Sequence, residues 1–140
     1  MRHHDLTIWD SLAIAETVLT PDERELGVAL IDVGGGTTEI AVIALNGIVC
    51  DTSIRVGGDE LAEAIVTYIK KNHNLLIGDQ TAENIKKTIG SAHKFDEERE
   101  MEVKGLYQVS GVPKTLKISS MEIREALMEP IQAICDALKQ

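Results

Sequence analysis

The chain reads as an α/β protein: a mixed sheet with a hairpin packs with helices and is joined to a small α+β subdomain. Three observations predict this class. The apolar runs Gly27-Val28-Ala29-Leu30-Ile31 and Ile40-Ala41-Val42-Ile43-Ala44-Leu45 flank a glycine-rich turn, and short unbroken apolar runs between turn signals mark buried strands. Asn46-Gly47 then separates the second run from an alternating one, a strong hairpin signal. Further on, apolar residues recur at helical spacing, at Leu61, Ile65, Tyr68 and Ile69 and again at Ile123, Leu127, Ile131, Ile134 and Leu138.

Taken in order, residues 10–26 read as helix and then loop. Thr20-Pro21-Asp22-Glu23 forms a capping box with proline at the first helical position. The two apolar runs predict strands buried on both faces. A third strand, Ile48 to Val56, alternates and is half exposed, antiparallel to the second through a type I′ turn at Asn46-Gly47. Gly57-Gly58-Asp59 breaks that strand and opens a helix that packs on the sheet. A loop at Gly78-Asp79 precedes a helix from Thr81 to Ile89, stopped by Gly90. The charge run Lys94 to Glu102 predicts a solvated surface. Met101, Val103, Gly105, Tyr107 and Val109 alternate, and Ser110-Gly111-Val112-Pro113 turns the chain toward Thr115-Leu116-Lys117-Ile118, giving a second hairpin. The last helix starts at a Ser119 to Glu122 capping box, and Pro130 predicts a kink. The organisation expected is 1–26, helix and loop; 27–72, part of a larger subdomain; 73–118, a small subdomain; and 119–140, a helix returning to the larger one.

Composition narrows the function. With 140 residues and 44% apolar content the chain can build one cored domain or two small lobes. A net charge of −9 from 14 basic and 23 acidic residues, with no basic cluster, argues against a nucleic-acid partner. No stretch approaches the roughly 20 apolar residues of a transmembrane span, and no signal-type apolar block follows the N-terminus. The expectation is a soluble intracellular protein. Cys50 and Cys135 lack any CxxC spacing and sit in apolar sequence, so they are expected to be buried free thiols. His3, His4, His73 and His93 pair at no ligand spacing, and no structural metal is expected.

Chemistry concentrates in Asp32-Val33-Gly34-Gly35-Gly36-Thr37-Thr38-Glu39. A carboxylate at a strand end, three residues without Cβ and two hydroxyls make a turn whose amides can face a polyphosphate. Asp32 can bind hydrated Mg²⁺, and Thr37 and Thr38 can offer hydroxyls to phosphate or water. An ordinary hairpin loop is the alternative reading of a triple glycine.

Read together, Asp32 to Glu39, Ser53-Ile54-Arg55-Val56-Gly57-Gly58-Asp59-Glu60, Tyr68 to Lys71, Asn74 to Gly78 and Thr81 to Ala92 resemble the MreB family, as do Glu100 to Gly105 and Glu122 to Leu127. This is the rod-shape-determining branch of the actin superfamily, so the resemblance implies an actin-like (ribonuclease H-like) ATPase lobe. Ala15 to Val28 is similar instead to FtsA, the actin-like cell-division protein. The resemblance implies that Asp32 to Thr38, including Gly34, Gly35 and Gly36, is the second phosphate loop, with Asp32 near Mg²⁺ and Thr37 near the attacking water. Gly57, Gly58 and Asp59 match the motif beside the nucleotide, and Glu83, Lys86 and Lys87 match the helix that holds the adenosine. Residues three and four apart share a helix face, which suits such a group, although these three alone also read as an exposed ion pair.

The family's Glu-Pro pair, whose Glu orients the hydrolytic water, is matched by Asp10-Ser11, a carboxylate one methylene shorter. Displacements near 1 Å cost about a hundredfold in rate, so Asp10 is expected to be a poor replacement. The family's Asp-x-Gly-Thr loop and its C-terminal Gly-Gly-Gly loop are not among these residues. The expectation is a partial chain that binds ATP with Mg²⁺ weakly and hydrolyses it little. The resemblance implies self-association into filaments, cell-shape or division partners, and a cytoplasmic place with access to the inner membrane face through partners. The competing class is a non-catalytic actin-like interaction module, or an FtsA-like division protein.

Overall fold

A computed structural model describes residues 13–140. They fall into two units, residues 13–58 with Ile134–Gln140, and Asp59–Ala133.

In the first unit residues 13–18 are helical. The capping box then opens α1 (Pro21–Leu26): the Glu23 amide donates to Thr20 Oγ1 at 3.3 Å and the Thr20 amide donates to Glu23 Oε2 at 2.8 Å. Three strands follow, β1 (Val28–Val33), β2 (Thr38–Ala44) and β3 (Gly47–Ile54), in the antiparallel order β1-β2-β3. Ile40, Ala41 and Ile43 of β2 are buried. β1 is not buried on both faces: Ile31 and Val33 are 44% and 50% exposed, and burial alternates along the strand, so one of its faces is open among the described residues. The same geometry corrects the reading of the thiols. Cys50, on the opposite outer strand, is exposed, and Cys135 is only half buried.

The turn between β2 and β3 lies one residue earlier than the Asn-Gly signal suggested. Leu45 and Asn46 are its central residues, both with positive φ (52° and 60°), as type I′ requires, and Ala44 pairs with Gly47. The register follows burial rather than the turn residues. Val42 faces Cys50 but Ile43 faces Ile48, so Val49 is an inserted, exposed residue that lets Ile40 and Ile43 both stay buried. The tip is then held against α1, whose last carbonyls accept from it: Leu45 N–H to Glu25 O (3.2 Å) and Asn46 N–H to Arg24 O (3.1 Å). Those bonds offset the roughly 1–2 kcal/mol that a left-handed leucine costs.

The second unit is built on α2 (Gly58–His73), β4 (Leu75–Leu76), α3 (Asp79–Ile89), β5 (Glu100–Tyr107), β6 (Val112–Ser119) and α4 (Ser120–Leu138), with the antiparallel sheet order β4-β5-β6. Ile65 and Ile69 of α2, Ile85 and Ile89 of α3, Leu75, Val103, Ile118, Ile123 and Leu127 close one core. The short strand β4 had no alternation to announce it. Val112 and Pro113 belong to β6 rather than to the turn; β6 is an outer strand, which tolerates a residue without an N–H. Ser119 and Glu122 cap α4 reciprocally (3.0 and 3.3 Å), and the helix continues through Pro130 to Leu138.

The charge run is not simply solvated. Arg124 of α4 grips Glu98 with two parallel bonds of 3.0 Å, Ser120 donates to the same carboxylate, and the Ser120 and Arg99 backbones bond at 2.8 Å. Arg99 lies over the Phe95 ring at 4.2 Å. A planar guanidinium meeting a carboxylate with both nitrogens is a directional contact, so this loop is stapled to the start of α4.

Candidate functional site

Asp32 is the next-to-last residue of β1 and stands opposite Glu39, while Val33 pairs with Thr38. Beyond that pair Gly34 N–H donates to Thr37 O at 2.8 Å, which leaves Gly35 and Gly36 as the tip of the loop. Gly34, Gly35 and Gly36 are exposed, Asp32 and Thr37 half buried. The Gly34 amide is therefore engaged, whereas Gly35 and Gly36 donate to no backbone carbonyl among the described residues. A Cβ on Gly36 would meet nothing within 4 Å. Two adjacent glycine amides not taken by backbone carbonyls, in a loop that follows a strand-end carboxylate, suit an anion together with its cation.

Thr38 has a different place from the one read in the sequence. It is fully buried, and its hydroxyl donates to Val56 O at 2.6 Å. Gly57 is buried as well, and Gly58 N–H donates to Gly34 O at 2.8 Å. These three residues bind the loop to the end of β3. Asp10 lies outside the described residues.

In the second unit Glu83, Lys86 and Lys87 lie together on α3. Lys86 Nζ is 2.7 Å and Lys87 Nζ 3.5 Å from the Glu83 carboxylate. Lys86 is the better sheltered, 18% exposed against 73% for Lys87. Glu83 also borders an open groove of about 630 Å³ between α2 and α3, lined with Asp59, Ala62, Glu63, Val66, Asp79 and Gln80. Asp59 thus contributes to this groove from the first turn of α2. The groove is not legible in the chain order, because its carboxylates come from two helices.

Nor could spacing reveal His73 Nε2 against Glu122 Oε1 at 2.7 Å, or the Tyr68 hydroxyl donating to Glu125 at 3.2 Å, pairs 49 and 57 residues apart. Four carboxylates, Glu23, Glu83, Glu98 and Glu122, are shifted in the same direction. The Lys86 ammonium holds Glu83 below its ordinary value of 4.5, against a smaller opposing effect of burial. The Arg124 guanidinium and the Ser120 hydroxyl do the same for Glu98, and the Thr20 amide does so for Glu23. At Glu122 burial pushes upward, but the Ser119 amide and the His73 ring together prevail and the value falls.

A lowered folded-state pKa contributes stability that is present above the unfolded value and lost as pH falls through the folded one. The chain is expected to keep this contribution above the ordinary carboxylate value of 4.5 and to lose it progressively as pH falls below that value through the lowered ones. Urea unfolding at a series of pH values tests this, with Glu98→Gln expected to flatten the acid limb. Stability unchanged through that range would contradict it.

A model of the family described as "MreB/Mbl protein" matches residues 11–140. That span takes in residues 15–28, the stretch similar to FtsA. The cell shape-determining protein MreB of Escherichia coli (strain K12) is 47% identical over 131 residues, which are 94% of this chain and 38% of that protein. Among solved structures, MreB5 of Spiroplasma citri bound to ADP superposes with a TM-score of 0.86 at 41% identity, covering 91% of this chain and 39% of that one. The same protein bound to AMPPNP gives 0.81 at 40% identity, with 91% and 38% covered. The chain thus spans well under half the length of these relatives. No helix among the described residues is long and apolar enough to cross a membrane.

Proposed function

The chain belongs to the MreB/Mbl family and has its actin-like fold, and from that premise we propose that it carries the phosphate loop of an ATP-binding cytoskeletal protein that determines cell shape. The observation behind this reading is the loop tip, where exposed Gly35 and Gly36, whose amides have no backbone carbonyl partner among the described residues, follow the strand-end Asp32. Those amides would bind phosphate oxygens, and the half-buried Thr37 would hold a water or a phosphate oxygen at the same mouth. Asp32 would hold Mg²⁺ through its water shell. The bound cation would neutralise charge on the phosphates. Glu83 and Lys86, prearranged on one turn of α3, would hold the ribose and base. Self-association into filaments, contact with cell-shape machinery and a cytoplasmic location belong to the same proposal.

Titration calorimetry with ATP and Mg²⁺ tests it. Saturable binding is expected, weakened at least about tenfold by Asp32→Ala, the scale of one lost charge-assisted contact. Folded protein that binds nothing at millimolar nucleotide would contradict the assignment and leave a protein-contact role. Ultracentrifugation with and without ATP addresses filaments, and the absence of a nucleotide-dependent pellet would count against that part.

A further inference from the structure

Residues 56–58 meet the loop at three points. Val56 O accepts from the buried Thr38 hydroxyl at 2.6 Å. Gly58 N–H donates to Gly34 O at 2.8 Å. Between them, a Cβ built on Gly57 would lie 2.6 Å from both Gly34 O and Gly35 O and 2.8 Å from the Gly35 carbonyl carbon. Those are main-chain atoms, which cannot rotate aside as the end of a side chain can.

We infer that Val56, Gly57 and Gly58 form a clasp that fixes the loop so that Gly35 and Gly36 present their amides outward, and that Gly57 and Thr38 are positioning residues, not phosphate ligands. The contrast with Gly36 supports the division. There a Cβ would meet only open space, so glycine is not demanded by packing, and its lack of a side chain matters only to something approaching from outside. At Gly57 the backbone of the loop itself demands glycine. The clasp also explains why the hairpin loop does not relax into a simple turn: Gly34 is held on both sides, by Thr37 through its N–H and by Gly58 through its carbonyl.

The inference rests on the reading of Asp32 to Thr38 as a phosphate loop, but its first test needs no nucleotide. Gly57→Ala is expected to displace the Gly35 and Gly36 amide resonances in ¹H–¹⁵N spectra of the free protein and to weaken Mg·ATP at least tenfold. Thr38→Val, which keeps the shape and removes the hydroxyl, should give the same signature, and Thr38→Ser should return both readouts toward the parent chain. Gly36→Ala should leave the remaining loop resonances and the stability in place while lowering affinity. Should Gly57→Ala fail to fold, the Thr38 pair carries the test. Loop resonances unchanged in Gly57→Ala and Thr38→Val would overturn the clasp. If the parent chain binds no nucleotide, the functional reading fails, and the resonance shifts still decide whether the clasp exists.

Discussion

Gly105→Ala is expected to cost the second unit about 3 kcal/mol, a methyl group's worth of atoms doing the damage of a core truncation. Gly105 is in β5 at the point where β4 pairs with it, and Leu76 faces Leu106. A Cβ there would run into the Leu76 carbonyl oxygen, lie 2.8 Å from Leu75 Cγ and lie 3.1 Å from Ile77 Cγ2. The first obstacle is backbone, so the strain is relieved only by moving β4. That strand has two residues and little to hold it in place except its pairing and the fully buried Leu75. Moving it exposes Leu75, at roughly 1.5–3 kcal/mol for such a side chain. Denaturant unfolding should read the loss, and hydrogen exchange should find the amides of residues 75–77 opening first. A variant within about 0.5 kcal/mol of the parent would mean that β4 adjusts freely and that its pairing contributes little.

What the sequence disclosed and what it withheld follow from the range of the forces involved. Both capping boxes were readable because Thr20 with Glu23 and Ser119 with Glu122 are contacts across three residues. The apolar faces of α2 and α4 were readable from helical spacing for the same reason. The phosphate loop was found as a cluster of residue types, but the parts played by its members were not. Thr37 and Thr38 are adjacent, and only the pairing of β2 with its neighbours puts the second inside against Val56. Likewise Gly57 looks like any glycine between a strand and a helix, and Gly105 like any glycine in a strand, since what forbids a side chain is the backbone of residues 34–35 in one case and 76 in the other. The β2–β3 turn slipped by one residue because burial of Ile40 and Ile43 outweighed a local turn preference. The charge run is exposed as its composition predicts, but its tie to α4 was not legible, because Glu98 is claimed by Arg124, 26 residues on. Local chemistry was legible; contacts made by the folded sheet were not.

Ile85→Ala separates packing from the candidate adenosine group on a single helix. Ala82, Ile85 and Ile89 recur at spacings of three and four and are fully buried or nearly so, whereas Glu83, Lys86 and Lys87 form their ion pairs on another part of the circumference. Removing three carbons from the fully buried Ile85 should cost about 2–5 kcal/mol, the transfer of the lost methyl groups plus the cavity they leave. Small domains hold only about 5–15 kcal/mol in total, so this loss is large. It should nevertheless leave Mg·ATP affinity of the folded protein within about threefold, because the helix backbone and the Glu83–Lys86 pair remain where they are. Lys86→Ala is the converse. Its loss should cost folding less than Ile85→Ala does, since an ion pair with a partly exposed carboxylate contributes little, yet it should lower affinity by about tenfold if the ammonium meets the nucleotide. Unfolding curves and titrations of both variants, taken at a temperature where each is fully folded, give two crossed effects. If Ile85→Ala weakens binding as much as Lys86→Ala does, the recognition group depends on core packing, and the division of α3 into a structural face and a binding face has to be abandoned.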